Sequence, residues 1–320
     1  MASAELLTEL VRAHYELDQR RFDNLLNQVI ASESSAGHSH LAKRLRSLRA
    51  EGEAAPSSTR ATPLVRAPKD LEQVLSVGYS DIRLADLVVS SETRELLQRY
   101  VVEQRASDVL AGHGLLPRRR LLLHGPPGCG KTMTANGLAG ELKLPLVRVR
   151  LEVIFSRYLG ETAATLTDVF SEAKRVRGVY LFDEFDALGR TRLEDNDVGE
   201  VKRVVTTFLQ LLDADTSDSL LVAATNAGGS IDRALFRRFD DVVELPGPTP
   251  EQTAELLRRL LRRWKRRPDK QVLEAAGGLS FADVRAAVDD AQKASIISGQ
   301  LVPRNEEIQE ALKARVTRLR

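Results

Sequence analysis

The chain has 320 residues, of which 42% are apolar and 29% are charged. That length suits two or three compact units, and the apolar share is enough to build a sizeable core in water. Because 47 basic residues nearly cancel 45 acidic ones, the net charge of +2 argues against a chain that binds polyanions over its whole surface. A single cysteine excludes an intramolecular disulfide framework. No apolar run approaches the roughly 20 residues that a membrane-spanning helix needs, so we expect a cytoplasmic protein with no membrane contact.

Residues 1–50 are expected to form a small bundle of three amphipathic helices. The second helix carries an apolar stripe at helical spacing, made of Phe22, Leu25, Leu26, Val29 and Ile30. We interpret the bundle as a recruitment domain, although simple packing against the rest of the chain fits the pattern equally well. Residues 51–69 are small, polar and proline-bearing, which is typical of a linker.

Residues 70–247 alternate between apolar strands and helical stretches. The predicted strands are Leu121–His124, Leu146–Arg150, Val179–Asp183, Leu220–Thr225 and Val242–Leu245. Strands separated by helices favour an α/β domain in which both faces of a parallel sheet are covered. Residues 248–320 contain only helical patterns, which predicts a second, smaller α-helical domain.

A phosphate-binding motif follows the first predicted strand and opens a helix. It has the form G-x-x-x-x-G-K-T and comprises Gly125, Pro126, Pro127, Gly128, Cys129, Gly130, Lys131 and Thr132, with Met133 next in the helix. The glycines let backbone N–H groups surround phosphates without Cβ clashes, and the helix N-terminus adds its positive end. In such a loop Lys131 reaches the β- and γ-phosphates and the Thr132 hydroxyl is a ligand of Mg²⁺. We interpret Cys129 as a small spacer and not as a nucleophile.

Two later strands end in polar residues suited to hydrolysis. Val179–Phe182 leads into Asp183, a candidate Mg²⁺ ligand, and into Glu184, a candidate general base for the attacking water. Leu220–Thr225 leads into Asn226, which we expect between the phosphate-binding strand and Asp183, within reach of the water or the γ-phosphate.

Two adjacent arginines, Arg237 and Arg238, follow the Asn226 strand after an apolar helical stretch. Neighbouring arginines usually mark a solvated face. Their distance beyond Asn226 favours another interpretation, in which they are arginine fingers that complete the site of a neighbouring subunit.

Taken together, the segments GPPGCGKT, LFDE, ATN and ALFRRFD resemble the AAA ATPases over residues 70–300. The resemblance implies a five-stranded sheet domain with a four-helix lid, bound ATP and Mg²⁺, and a ring, usually a hexamer, with ATP between its subunits.

The same resemblance assigns three further segments. Tyr158, Leu159 and Gly160 are similar to the first pore loop, which grips a protein substrate in the central channel; a buried core position for Tyr158 is the alternative. Ala282 lies in a segment that resembles the lid turn beside the adenine, although Phe281 stands where the family has glycine. Asp86 and Leu87 resemble the segment that brackets the adenine.

The order of elements also resembles a narrower group, the bacterial AAA ATPases encoded beside a subtilisin-like serine protease in plasmid-incompatibility and defence modules. The chain has no Ser/His/Asp constellation of its own, so such a protease would be a partner.

Three functions fit these patterns. The chain could be a ring that remodels a protein, a nucleotide-dependent, antitoxin-like switch that regulates a partner without threading it, or a DNA-associated ATPase. The third rests on the basic segment Arg258–Lys270. We interpret that segment as the solvated face of a lid helix opposite an apolar stripe, and we expect no nucleic-acid partner.

Overall fold

The computed structural model divides the chain into two compact units, Met1–Leu64 and Val65–Arg320. It describes residues 71–156, 162–185, 198–226 and 236–319, together with Ala67, Pro68 and seven residues of the first unit. Those seven are helical, and Val29 and Ile30 among them are buried. The rest of the predicted three-helix bundle and the linker lie outside the described residues.

A six-stranded sheet forms the centre of the second unit. Its strands are β1 (Leu75–Gly78), β2 (Arg120–His124), β3 (Leu146–Val149), β4 (Val179–Phe182), β5 (Leu220–Thr225) and β6 (Asp241–Glu244). Their order in the sheet is β1-β3-β4-β5-β2-β6. Strands β2 to β6 pair in parallel, so their carboxyl ends all lie along the same side of the sheet, which runs across the strands.

The expectation of five strands was too low by one. The five predicted strands are all present, and β1 adds a sixth that runs antiparallel to β3 at the edge of the sheet. The sequence signal for β1 is weak, because Leu-Ser-Val-Gly is only four residues long and ends in glycine. Pairing with β3 stabilises a segment that its own composition does not specify.

Helices cover both faces of the sheet. On one face pack α4 (Leu151–Ser156), α5 (Thr162–Arg175) and α6 (Val198–Ala214). On the other pack α1 (Ser91–Arg105) and α3 (Lys131–Leu142), with the short α2 (Ser107–Gly112) following α1. Successive residues of one strand, such as Leu121 and Leu122 of β2, belong to opposite cores. This alternation is what a sheet buried on both sides requires.

Four helices follow the sheet: α7 (Pro250–Arg262), α8 (Lys270–Ala275), α9 (Phe281–Ile297) and α10 (Asn305–Leu319). They form a core of their own, centred on Leu257, Leu261, Val284 and Leu312. Helix α7 begins with a capping box, in which the Thr249 hydroxyl accepts from the Gln252 N–H and the Gln252 side chain accepts in return. None of the helices in the described ranges is long and apolar enough to cross a membrane.

Candidate active site

The loop between β2 and α3 has a backbone that only glycine adopts without strain. Gly125, Gly128 and Gly130 have φ angles of 146°, 76° and 98°. A Cβ on Gly125 would overlap the Leu245 carbonyl oxygen, and one on Gly128 would overlap the Ser280 hydroxyl. The limit at Gly125 is set by the Leu245 backbone, and the limit at Gly128 by the Ser280 and Ala282 side chains, so only glycine fits at either position.

Hydrogen bonds to the loop and to Asn226 hold the Lys131 side chain beneath this loop. Its ammonium donates to the carbonyl oxygens of Gly125 at 2.8 Å and Pro126 at 2.9 Å, and to Asn226 Oδ1 at 2.8 Å. Only 7% of the residue is exposed. Asn226 directly follows β5, and the sheet order places β5 between β4 and β2. The charge of Lys131 is therefore fixed where the carboxyl ends of β2 and β5 meet.

Thr132 and Asp183 meet at the same edge of the sheet. The Thr132 hydroxyl donates to Asp183 Oδ2 at 2.8 Å, and Asp183 directly follows the buried strand β4. Hydroxyl and carboxylate oxygens are ligands that suit Mg²⁺. Within the described ranges no three His, Cys, Asp or Glu side chains form a metal cluster. A cation here would thus be shared between these two oxygens, phosphate oxygens and water, as is usual for Mg²⁺ in nucleotide sites.

Glu184 adopts a left-handed backbone conformation, with a φ of 52°. Its N–H donates to Asp183 Oδ1 at 3.0 Å. The next residue, Phe185, is 2% exposed, donates its N–H to the Ala224 carbonyl at 2.8 Å, and places its ring centroid 4.9 Å from that of Phe208. The chain is therefore anchored on both sides of Glu184, and the left-handed turn leaves the Glu184 carboxylate exposed at the end of β4.

These residues border a cavity of about 410 Å³, a volume in the usual range for small-molecule sites. The predicted residues that line it are Asp86, Leu87, Pro127, Gly128, Cys129, Gly130, Lys131, Thr132, Met133, Asp183, Glu184, Asn226 and Ala282. Gly125 and Pro126 contribute to the site through the carbonyl groups that hold Lys131.

Sequence reasoning assigned no site role to six residues of the cavity wall: Val88, Val89, Thr134, Leu256, Phe281 and Arg285. Only their proximity along the chain could have pointed to these residues, since each lies within four residues of an assigned residue or on helix α7. The phenylalanine that replaces the family's glycine does not close the site, because Phe281 and Ala282 both line it.

The C-terminal helices contact the phosphate-binding loop directly. The Ala282 N–H, in the first turn of α9, donates to the Gly128 carbonyl oxygen at 3.2 Å. Ser280 caps α9, and its hydroxyl accepts from the Asp283 N–H at 3.2 Å while lying against Gly128. The start of α9 thus forms one wall of the cavity.

Cys129 is buried in the loop, with 4% of its surface exposed. Burial raises the pKa of its thiol, and the nearby Lys131 charge offsets only part of that rise. A thiol in this state is a weak nucleophile, which agrees with the spacer interpretation.

Arg237 and Arg238 are not among the described residues that line the cavity. Arg237 is exposed, and Arg238 forms an ion pair with Asp213 at the end of α6. Just beyond them, the Asp240 carboxylate accepts from the backbone N–H groups of Arg119 at 2.7 Å and Arg120 at 2.9 Å, at the amino end of β2. Tyr158, Leu159 and Gly160 lie outside the described residues.

Comparison with known proteins agrees with this geometry. Residues 121–247 match the family described as ATPase family associated with various cellular activities (AAA). An uncharacterized AAA family ATPase of Sinorhizobium fredii is 35% identical over 319 residues, which are 97% of this chain and 93% of that protein. The proteasome-activating nucleotidase of Aeropyrum pernix is 32% identical over 76% of this chain, which spans 61% of that protein. The crystal structure of the FIGL-1 AAA domain superposes with a TM-score of 0.61 at 25% identity, over 80% of this chain and 92% of that one. The chain therefore belongs to the AAA family, and it is an ATP-hydrolysing enzyme.

Proposed function

We propose that this ATPase acts as an oligomeric ring, a hexamer by family resemblance, that remodels or regulates a partner protein. The observation that carries the proposal is the position of Arg238. Its guanidinium pairs with Asp213, which lies just before β5 enters the sheet from its amino end. The Lys131 and Thr132 site lies at the opposite, carboxyl end. Along β2 alone the two ends are about 13 Å apart, at roughly 3.3 Å for each of four steps.

We infer that an arginine at this end of the sheet would act on hydrolysis from a neighbouring subunit. If Arg237 and Arg238 are arginine fingers, they complete the cavity of a neighbouring copy, and each site needs two chains. The isolated subunit would then bind ATP and hydrolyse it slowly. A ring of subunits placed head to tail gives every site its fingers, since a heterologous contact that closes generates a ring.

Within one subunit, the cavity residues divide into phosphate, metal and base contacts. The loop N–H groups and the Lys131 ammonium would hold the phosphates, and Lys131 would exchange its bonds to loop carbonyls for phosphate oxygens. Thr132 and Asp183 would hold Mg²⁺. When bound, that ion neutralises the charge that develops on the phosphate oxygens. Asp86, Leu87 and Ala282 would bracket the adenine.

Glu184 and Asn226 would act on the attacking water. The exposed Glu184 carboxylate would accept the proton that the water loses as its oxygen attacks the γ-phosphorus. Asn226, whose Oδ1 accepts from Lys131 at this edge of the sheet, would orient the water or the γ-phosphate.

The partner is proposed to be a protein. The name of the Aeropyrum pernix relative says that it activates a proteasome, and a related ATPase could act on a protease in the same manner. A subtilisin-like serine protease is the specific candidate.

Each segment of the chain has a separate role in this scheme. Residues 1–50 would recruit the partner, 51–69 would be the linker, 70–247 would hydrolyse ATP and 248–320 would form the lid. Tyr158, Leu159 and Gly160 would grip the polypeptide.

The ring is tested by the mass of Glu184→Gln in sedimentation velocity with and without ATP. Slow hydrolysis should keep ATP bound and give a closed assembly of about six chains, whereas a monomer at saturating ATP would contradict the proposal. The same variant is the bait for the partner, because a retained complex can be isolated and its components identified.

Threading is tested by Tyr158→Ala, with deletion of residues 1–50 as the comparison. If the ring grips a polypeptide, Tyr158→Ala should keep basal ATPase within a few-fold of the parent and lose action on the captured partner. The deletion should keep the ATPase and lose capture. A folded Tyr158→Ala protein that still acts normally on its partner would favour the switch that does not thread.

A further inference from the structure

A second concave surface lies at the turn between α7 and α8, with a volume of about 670 Å³. Five basic residues line it, together with Pro268 and Leu273: Arg258, Arg262, Lys265, Arg266 and Arg267. This basic cavity shares no described lining residue with the cavity that holds Lys131. It is therefore a separate feature, and the proposed ATPase mechanism does not use it.

The charge of the molecule is concentrated at this turn. Residues Arg258–Lys270 contain eight basic side chains and one acidic one, Asp269, for a local net charge of +7. Because the whole chain carries only +2, the remaining residues carry a net charge of −5. The near-neutral total hides a strongly asymmetric distribution.

The five cations of the basic cavity have no acidic partner in the described part of the chain, whereas neighbouring cations do. Arg259 pairs with Glu255, Arg263 pairs with Asp289, and Lys270 pairs with Glu274. Within Arg258–Lys270, the cations that line the cavity are the ones without an ion pair among the described residues, and the cations outside it are paired. Five like charges around one concave surface repel one another, and an anion in the cavity relieves that repulsion.

The turn that presents these cations is firmly built. Trp264 packs against the core of the C-terminal helices, and the Arg263 guanidinium lies 4.1 Å from the centroid of its ring. Lys265 has a left-handed φ of 56°, which reverses the chain after α7. The N–H groups of Lys265 and Arg266 close the turn on the carbonyl oxygens of Arg262 at 2.9 Å and Leu261 at 3.3 Å. The residues after the reversal are thereby brought round to the side of Arg258 and Arg262.

The sequence alone led us to expect no nucleic-acid partner for this segment, but from the cavity and its unpaired cations we propose that it binds the phosphate backbone of a nucleic-acid duplex, independently of base sequence. Four of its five cations are arginines, whose planar fork matches phosphate oxygens. No aromatic side chain is among its described lining residues, so it lacks the platform on which single-stranded bases stack. Only Pro268 and Leu273 are apolar, which leaves little to hold the side chains of an acidic peptide. Charge without stacking or apolar pockets suits backbone phosphates.

The test is fluorescence anisotropy with the full chain and a labelled random duplex of about 25 base pairs, over a series of salt concentrations. Five phosphate contacts give a slope of log K against log salt of about −4.5, which is roughly a 500-fold loss of affinity between about 50 and 200 mM salt. The double variant Arg258→Gln, Arg262→Gln should reduce the magnitude of that slope by about 2. It should leave basal ATPase unchanged, since neither residue borders the ATP cavity.

The matched control is Lys270→Gln, Lys293→Gln. It removes the same charge from the same group of helices, but both lysines pair with acids, Glu274 and Asp290, and neither lines the basic cavity. Its slope should stay at the parental value. The proposal is overturned if the duplex does not bind, if the two double variants weaken binding equally, or if a single strand binds more tightly than the duplex. It is also overturned if inorganic tripolyphosphate or polyglutamate displaces the duplex at equal charge concentration.

Discussion

At Glu184 we expect one substitution, Glu184→Gly, to stabilise the fold and at the same time to slow ATP hydrolysis. A left-handed backbone costs a residue with a side chain about 1–2 kcal/mol, while glycine loses roughly 0.5–1 kcal/mol more chain entropy on folding. Since Glu184 has a φ of 52°, Glu184→Gly should raise the free energy of unfolding by a net ~0.5–1 kcal/mol. For a unit of this size that is about 1–4 °C in melting temperature. Loss of the carboxylate should slow ATP turnover by at least about 100-fold.

Two further variants separate the effect of backbone strain on stability from the effect of the carboxylate on turnover. Glu184→Gln keeps the side chain and the strain, so it should lose turnover without gaining stability. Lys143→Gly removes a comparable strain at a φ of 56° at the end of α3, away from the cavity wall, so it should gain stability and keep turnover. Thermal melting and steady-state phosphate release on all three proteins provide the measurements. If Lys143→Gly melts above the parent and Glu184→Gly below it, the Glu184 side chain stabilises the fold. The predicted gain in stability at this position is then wrong.

Further predictions concern the rest of the site. Lys131→Ala should abolish tight ATP binding, because the γ-phosphate loses its buried positive charge; wild-type affinity in a nucleotide-binding titration would contradict the assignment. Arg237→Ala and Arg238→Ala should each bind ATP but hydrolyse it about 10³-fold more slowly. Mixing either with Lys131→Ala should restore turnover at shared interfaces, and inactive mixtures with demonstrated subunit exchange would refute action in trans. N-ethylmaleimide should modify Cys129 slowly at neutral pH and faster as pH rises above the usual thiol range, because the raised pKa keeps the thiol protonated. ATP should protect it, so equal labelling rates with and without ATP would count against its place in the cavity wall.

The parts of the site that the sequence predicts are those encoded locally. The phosphate-binding loop is a run of consecutive residues, and each glycine marks a backbone angle that other residues avoid. Asp183 and Asn226 could be placed because each ends a buried strand, and parallel strands bring their carboxyl ends together. The AAA family and the α/β fold followed from these motifs in combination.

What the sequence did not show depends on contacts between distant segments. Strand β1 exists because β3 offers it an edge, and its four residues carry little strand signal. The ion pair of Arg238 with Asp213 joins residues 25 positions apart through the packing of α6 against the sheet. The basic segment was recognised, but the pairing of Arg263 depends on Asp289, which α9 supplies from 26 residues further along the chain.

The contact of Gly128 with the start of α9 has an evolutionary consequence. Position 128 belongs to the phosphate-binding loop and lies against the Ser280 hydroxyl, so a larger residue there would disturb both the loop and the start of α9. Position 280 is limited in turn, because it must be small as well as able to cap the helix. A bulkier residue at position 280 cannot be compensated at position 128, since glycine is already the smallest residue. It should therefore be found only where the helix has moved away from the loop, while the φ of 76° keeps glycine at position 128.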